Sequence, residues 1–309
     1  MVKVTYVVKN EPHIGHWTWI VILKRLLGSD FNLASINRLG LIVNNIVITE
    51  GVIPTLYGIA IKPLNKCLAS IALSPSIICP RINAIYSKAD VGIAVSSIVR
   101  DLLISKKSVI VYPRPPELER LVRVSIDISD KRPWICYSGP LIPIKGVYLI
   151  PEVARHVIKD VEEAKFLIIG EGARDLVTRY VKKYGLEDSI LITGYVPRAE
   201  LFEILRKCSI YIQPSLFDAF SVAVAEAMAL GSVPVVSKYV GSRDLVVKVD
   251  NSLVQEHDAE KIAKKIVEVL SDREMFRELA LRARYVVGEE LLINKIEEQI
   301  TEVIEECLK

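Results

Sequence analysis

PSLFDAFSVAVAEAMALGSVPVVSKYVGSRDL, residues 214–245, decides how this chain folds and where its chemistry sits. Two acids, Asp218 and Glu226, stand eight residues apart. Between them lie a small turn (Ala219, Phe220, Ser221) and the start of an apolar helix. A helix beginning here leaves its first N–H groups, at Ser221, Val222 and Ala223, without intrahelical partners. Such donors, together with the positive end of the helix dipole, favour a phosphate. Glu226 falls about one turn further in, where a carboxylate can accept from sugar hydroxyls. The stretch predicts a phosphate-and-sugar pocket at a loop-to-helix junction, followed by a buried strand.

Outward from this stretch, short β-branched runs alternate with amphipathic helical segments, the pattern of parallel α/β sheets. In the first half the spacing predicts strands over 3–8, 46–49, 91–95 and 108–112, and helices over 17–27, 54–72 and 96–104. Tyr112-Pro-Arg-Pro-Pro then breaks regular structure and opens a connector that runs to Asp130. The rhythm restarts with strands over 134–138, 164–170, 190–193, 210–213 and 233–237. Helices fall between them near 147–157, 175–184 and 198–207, and again from Ala259 onward. The expected organisation is one domain over 1–128, a second over 129–288 and a terminal helix over 289–309.

Composition bounds the reading. The chain has 309 residues, 51% of them apolar, enough for two domains with cores of their own. Five cysteines (Cys67, Cys79, Cys136, Cys208, Cys307) show no close pair and no zinc spacing, which predicts reduced thiols and a cytoplasmic setting. The N-terminal MVKVTYVVKN reads as a strand rather than a signal peptide, and no run of about 18 apolar residues predicts a membrane span. Abundant Ile, Val, Lys and Glu with little Gln lean toward a thermophilic source. Residues 1–128 hold 15 Lys or Arg against 8 Asp or Glu, while the remainder holds 25 against 29. The basic first half suits an anionic acceptor or an anionic membrane surface, or is simply a solvated face.

The opening stretch resembles the Glu-x7-Glu motif of retaining GT-B glycosyltransferases, the large family-4 group also called glycosyl transferases group 1. Asp218 stands in place of the first Glu. The flanks agree: Pro214-Ser215 before it, Glu-Ala-Met-Ala-x-Gly at 226–231, Pro-Val-Val at 234–236, and Gly241 and Asp244-Leu245-Val246 beyond. The resemblance covers residues 132–285 and implies an α/β chain of GT-B plan, two facing Rossmann-like domains, here with a reduced N-terminal domain. It implies a hexose moved with retention from a nucleotide-diphosphate sugar, UDP- or GDP-linked, without a further cofactor. No Asp-x-Asp pair occurs, so a metal-bridged donor is not expected.

Residue by residue, the resemblance places Lys145, in the run that begins at Trp134 and passes Gly139, on the lysine that meets the donor diphosphate. The arginine usual five positions earlier is missing, and Pro140 stands in its place. Gly194, Tyr195 and Val196 fall on the loop that lies along the base. Asp218 falls on the acid that holds the transferred sugar. Phe220, Ser221, Val222 and Ala223 line the diphosphate, and Glu226 meets the ribose. Gly170 and Gly172 match a strand-end Gly-x-Gly beside the same crevice.

The first half matches less. Gly15 fits the second glycine of the loop after the first strand, and Ile14 replaces the first. His13 and His16 lie beside it, and His16 is the candidate to position an acceptor or carry a proton. The histidine usual in a middle loop is absent from LSPSIICPR, residues 73–81. GIAIKPLNKCLASIA, residues 58–72, reads as an apolar helix with Lys62 and Lys66 at its edge, either interfacial, seating a lipid-linked acceptor, or buried.

Pro140 and the missing histidine favour a second reading, a nucleotide-sugar-binding protein with lost or weak catalysis. A third reading, a nicotinamide-dependent dehydrogenase, fits two Rossmann-like halves, but the absence of Gly-x-Gly-x-x-Gly from the first βα turn argues strongly against it. No motif supports nucleic-acid binding.

Overall fold

The computed structural model describes residues 3–9, 14–36, 42–43, 45–72, 80–103 and 107–309, the side chains of 14–18 and 80 excepted. The chain divides into two compact units, Met1–Pro116 with Leu291–Lys309, and Glu117–Glu290.

The first unit opens with β1 (Val4–Val8), α1 (Ile14–Leu27), β2 (Phe31–Ser35), β3 (Ile46–Glu50) and α2 (Val52–Ile61). It continues with β4 (Cys67–Ala72), α3 (Pro80–Asn83), β5 (Val91–Ala94), α4 (Ser97–Leu102) and β6 (Ser108–Ile110). The strands form a parallel sheet in the order β2-β1-β3-β4-β5-β6. β1, β3 and β4 are buried at every position, as expected of parallel strands covered on both faces.

Two expectations fail here. Residues 54–72 are not one helix: α2 ends at Ile61, a turn follows, and Cys67–Ala72 is the strand between β3 and β5. The Asn65 amide donates to the carbonyls of Ile61 and Ile42, and its Oδ1 accepts from the Asn45 N–H, so its bonds end the helix. A strand buried on both faces has no alternation to separate it from a buried helix, so periodicity misread it. The interfacial-helix reading of 58–72 therefore lapses. The edge strand β2 pairs outside β1 and was not foreseen.

The second unit contains α5 (Leu118–Arg123), β7 (Arg132–Ser138), α6 (Leu149–Asp160), β8 (Lys165–Ile169), α7 (Arg174–Lys183) and β9 (Ile190–Gly194). α8 (Arg198–Lys207), β10 (Cys208–Gln213), α9 (Val222–Ala229), β11 (Val233–Ser237), α10 (Arg243–Val249) and β12 (Val254–Gln255) follow, then α11 (Ala259–Ser271) and α12 (Arg273–Glu290). Its parallel sheet runs β12-β11-β10-β7-β8-β9. From β7 the chain builds outward to β9, returns, and builds the other way from β10. Neighbours β7 and β10 thus send their following loops to opposite faces and open a crevice at their carboxyl ends.

The last helix, α13 (Ile293–Leu308), belongs to the first unit, where it packs on α1, β4, β5 and β6. The expectation of reduced cysteines also fails. Disulfides join Cys67 to Cys307, with Cα atoms 5.4 Å apart, and Cys136 to Cys208, at 6.2 Å. α13 brings the first pair together across 240 residues, and adjacent strands β7 and β10 bring the second, so neither was visible as a spacing. Cys79 lies outside the described residues. Among the described residues no helix is long and apolar enough to cross a membrane.

Two outcomes are expected. Peptide mapping of the unreduced chain should recover the Cys67–Cys307 and Cys136–Cys208 pairs, with none of these four cysteines alkylated before reduction. The second concerns Glu50, buried at the end of β3 and accepting from the Tyr6 hydroxyl. Burial pushes its carboxyl up to about 8, so the folded chain holds a proton that the unfolded chain releases. Stability therefore falls as pH rises from about 4.5 to about 8. Glu50→Gln removes that penalty and should gain up to about 4 kcal/mol on wild type between pH 5 and pH 8 in denaturant titrations.

Candidate functional site

The crevice between β7 and β10 is built from loops that touch one another through backbone. After β7, Gly139 N–H donates to the Ile169 carbonyl at 2.9 Å and Leu141 N–H to Glu171 at 2.7 Å. Beyond them Gly170 N–H donates to Gly194 at 2.9 Å. Gly170 is required here: at φ +147°, a Cβ would lie 1.9 Å from the Gly139 carbonyl oxygen. The Lys145 loop meets the loop after β10 in the same way. Leu216 N–H donates to Ile144 at 2.8 Å, and a Cβ on Gly146 (φ +68°) would lie 1.8 Å from the Pro214 oxygen.

A polar network lies under this floor. The buried Tyr211 hydroxyl donates to the Ser138 carbonyl at 3.0 Å, and Gln213 Nε2 donates to Ser215 Oγ at 2.8 Å. Ser237 Oγ donates to the Ser215 carbonyl at 2.5 Å, tying β11 to the loop. Burial, with the charges of Glu226 and Asp218 adding to it, pushes the Tyr211 hydroxyl well above its ordinary range. The residue therefore stays a neutral support.

Lys145 and Asp218 meet at 2.7 Å, Nζ to Oδ2, with 22% and 11% of their side chains exposed. Asp218 is held from three sides. Its N–H donates to Tyr239 at 3.0 Å, its carbonyl accepts from Gly241 N–H at 2.8 Å, and Oδ1 accepts from Phe220 N–H at 3.4 Å. Ser221 follows at φ +66°, the one non-glycine residue of positive φ among the described residues. Such a conformation costs about 1 kcal/mol or more and persists where the surroundings impose it. Ser221 makes no side-chain cap to α9, so the first-turn N–H groups of Val222 and Ala223 take no bond from it at the positive end of the helix.

Glu226 sits in the second turn of α9, buried, and accepts from Arg198 Nη2 at 2.6 Å. Arg198 also pairs with Glu117. Neither Arg198 nor Glu117 was singled out from sequence, because their pairing spans 81 residues and no motif marks it. Gly194 ends β9, and Tyr195 beyond it is 73% exposed.

The second unit thus brings together Lys145, Asp218, Phe220, Ser221, Val222, Ala223 and Glu226, with Gly139, Gly194, Tyr195 and Val196 on the neighbouring loops. Gly15 and His16 stand in the first turn of α1 in the first unit. His13 lies outside the described residues, as do residues 73–79 and the side chain of His16. Pro140, where an arginine was expected, offers its carbonyl to the Tyr137 hydroxyl at 2.9 Å. Among the described residues no three His, Cys, Asp or Glu side chains gather as metal ligands.

Such a crevice can hold a diphosphate against Lys145 and the α9 N-terminus, with a carboxylate on either side for hydroxyl groups. Comparison with known proteins bears on the family and the fold. A glycosyltransferase of Methanocaldococcus jannaschii is 25% identical over 234 residues, 72% of this chain and 59% of its own length. The UDP-Gal:alpha-D-GlcNAc-diphosphoundecaprenol alpha-1,3-galactosyltransferase of Escherichia coli is 25% identical over 190 residues, 57% of this chain and 48% of its own length. The chain therefore spans about half the length of these curated relatives. Among solved structures, Anabaena HepE in complex with UDP superposes with a TM-score of 0.79 at 16% identity, covering 98% of this chain and 100% of that one. The fold is GT-B. The family model "Glycosyl transferases group 1" matches residues 120–285, more than half of the chain, and the chain belongs to that family.

Proposed function

We propose that this protein transfers a hexose from a nucleotide-diphosphate sugar, UDP- or GDP-linked, to an acceptor hydroxyl with retention of configuration. The observation that carries the reading is the Lys145–Asp218 pair beside the uncapped start of α9, at the switch point of the second unit. Without donor, cation and carboxylate neutralise each other. With donor, the diphosphate takes over Lys145 and the sugar's hydroxyls take over Asp218, so each charge keeps a partner.

Breaking the glycosidic bond leaves negative charge on the departing diphosphate. The first-turn N–H groups of Val222 and Ala223 stand at the positive start of α9, Lys145 Nζ turns from Asp218 onto that charge, and electrostatic stabilisation of this kind is usually the largest single contribution to such rate enhancements. Asp218 orients the hexose, Glu226 accepts from the ribose, and the base lies along Gly194, Tyr195 and Val196. Gly15 and His16, in the first turn of α1, are assigned to the acceptor half of the reaction. No metal enters the scheme.

The acceptor we infer is anionic, a lipid-linked or glycan phosphate. The excess of Lys and Arg over residues 1–128 supports this, and the E. coli relative is named for a diphosphoundecaprenol acceptor. Peripheral contact with a cytoplasmic membrane face would follow from a lipid-linked acceptor. Pro140 supports the second reading, binding without transfer, because one cation usual at the leaving group is missing.

Calorimetry with UDP and GDP should show one of them binding. Lys145→Ala should weaken that nucleotide at least about 10-fold, the worth of one charge-assisted bond to phosphate. Asp218→Asn should leave nucleotide affinity within about 3-fold and abolish hydrolysis or transfer of the matching nucleotide sugar. Wild-type binding without any turnover would select the second reading; binding of neither nucleotide would contradict both. Gly146→Ala, which drives a Cβ against Pro214, should remove binding altogether and lower the melting temperature.

A further inference from the structure

Arg198 is the first residue of α8, and its guanidinium serves two carboxylates. Toward Glu117 it makes parallel bonds, Nε to Oε1 at 3.0 Å and Nη2 to Oε2 at 2.7 Å. Toward Glu226, whose side chain is 4% exposed, it makes one bond, Nη2 to Oε1 at 2.6 Å. The guanidinium carbon also lies 5.0 Å from the centre of the Phe202 ring, one turn along the same helix. A fork gripped by one carboxylate and stacked on a ring has little freedom to turn. Glu226 is bonded to the same Nη2 that holds Glu117 and inherits that rigidity.

We propose that Arg198 is a positioning residue of the nucleotide pocket, anchored by Glu117 and fixing the plane of the Glu226 carboxylate so that Oε2 meets the hydroxyls of the nucleoside sugar. The inference rests on the reading of Glu226 given above and adds to it the pair of residues that makes it work. It also explains how a buried carboxylate stays usable. Burial raises the pKa of Glu226 and Glu117 raises it further, while Arg198 alone opposes them.

Several other charged or titratable groups on elements packed against α9 have partners of their own. Tyr211 on β10 stays neutral, pushed up by burial and by the two carboxylates. Arg120 on α5 lies 5.7 Å from the Phe202 ring and acts on Glu117. Arg284 on α12 donates to the carbonyls of Ala229, Val122 and Val124. β11 carries no titratable side chain.

The test is calorimetric affinity for UDP and GDP between about pH 6 and about pH 8.5, in wild type, Arg198→Ala, Arg198→Lys and Glu117→Gln, with circular dichroism as a folding control. Ribose hydroxyls need the ionised carboxylate, so affinity is lost as pH falls through the pKa of Glu226. Arg198 opposes the rise in that pKa, so in wild type the loss comes at a lower pH than it would without the guanidinium. Arg198→Ala should bind at least about 10-fold more weakly near pH 6 and recover part of the loss at high pH. Arg198→Lys should restore the pH profile of wild type without all of its affinity, because an ammonium supplies charge but no fork. Glu117→Gln should flatten the profile, since it removes the charge that raises Glu226.

Wild-type affinity and profile in Arg198→Ala, or an equal loss in the Ala and Lys variants with the profile unmoved, would overturn the proposal. Should Arg198→Ala not fold, the Lys and Gln variants decide alone by their profiles. Failure of the wild type to bind either nucleotide overturns the reading of the site and this inference with it. Wild-type binding beside an indifferent Arg198 overturns only the inference.

Discussion

The Lys145–Asp218 ion pair joins the two loops that leave the central strands β7 and β10, and the rest of the site is arranged around that junction. The pair exists because the sheet reverses direction there. β7 begins one half of the unit and β10 begins the other, so their carboxyl ends face one crevice. What lets these loops come within hydrogen-bonding range is the absence of a side chain at Gly146, where a Cβ would fall 1.8 Å from the Pro214 carbonyl oxygen; Gly170 does the same for the loops after β7 and β8. Glycine positions, an ion pair and a helix start thus form one construction.

Its electrostatic logic is consistent across the site. Two carboxylates are largely buried, and a lone buried carboxylate is expensive to keep ionised. Each has a cation at 2.6–2.7 Å, Lys145 for Asp218 and Arg198 for Glu226. The two cations differ in kind. Lysine is a single mobile charge, suited to being shared with an arriving phosphate, whereas the arginine fork is already fastened to Glu117 and suited to staying where it is. On this account one pair opens when a donor arrives and the other holds the carboxylate still.

Much of the second unit was legible in the sequence. The apolar run after Ser221, the β-branched Val233–Ser237 and the glycines at strand ends each carry a local signal, and their elements form where the pattern puts them. The first unit was harder for a physical reason. β4 is buried on both faces, so its residues show neither helical nor strand periodicity, and β2 is an edge strand whose FNLAS has no β-branched residue. The disulfides and the Arg198–Glu117 pairing depend on contacts across 72, 81 and 240 residues, which only the folded chain creates. Local chemistry could be read; chemistry assembled by long-range packing could not.

The central claim is that the second-unit crevice grips an activated sugar by its diphosphate. A crystal structure of the wild-type protein soaked with UDP and, separately, with GDP tests it most directly. The account requires a diphosphate against the N–H groups of Val222 and Ala223 with Lys145 Nζ turned onto it, and ribose hydroxyls on Glu226. A nucleotide seated elsewhere, with the Lys145–Asp218 pair still closed, would contradict it.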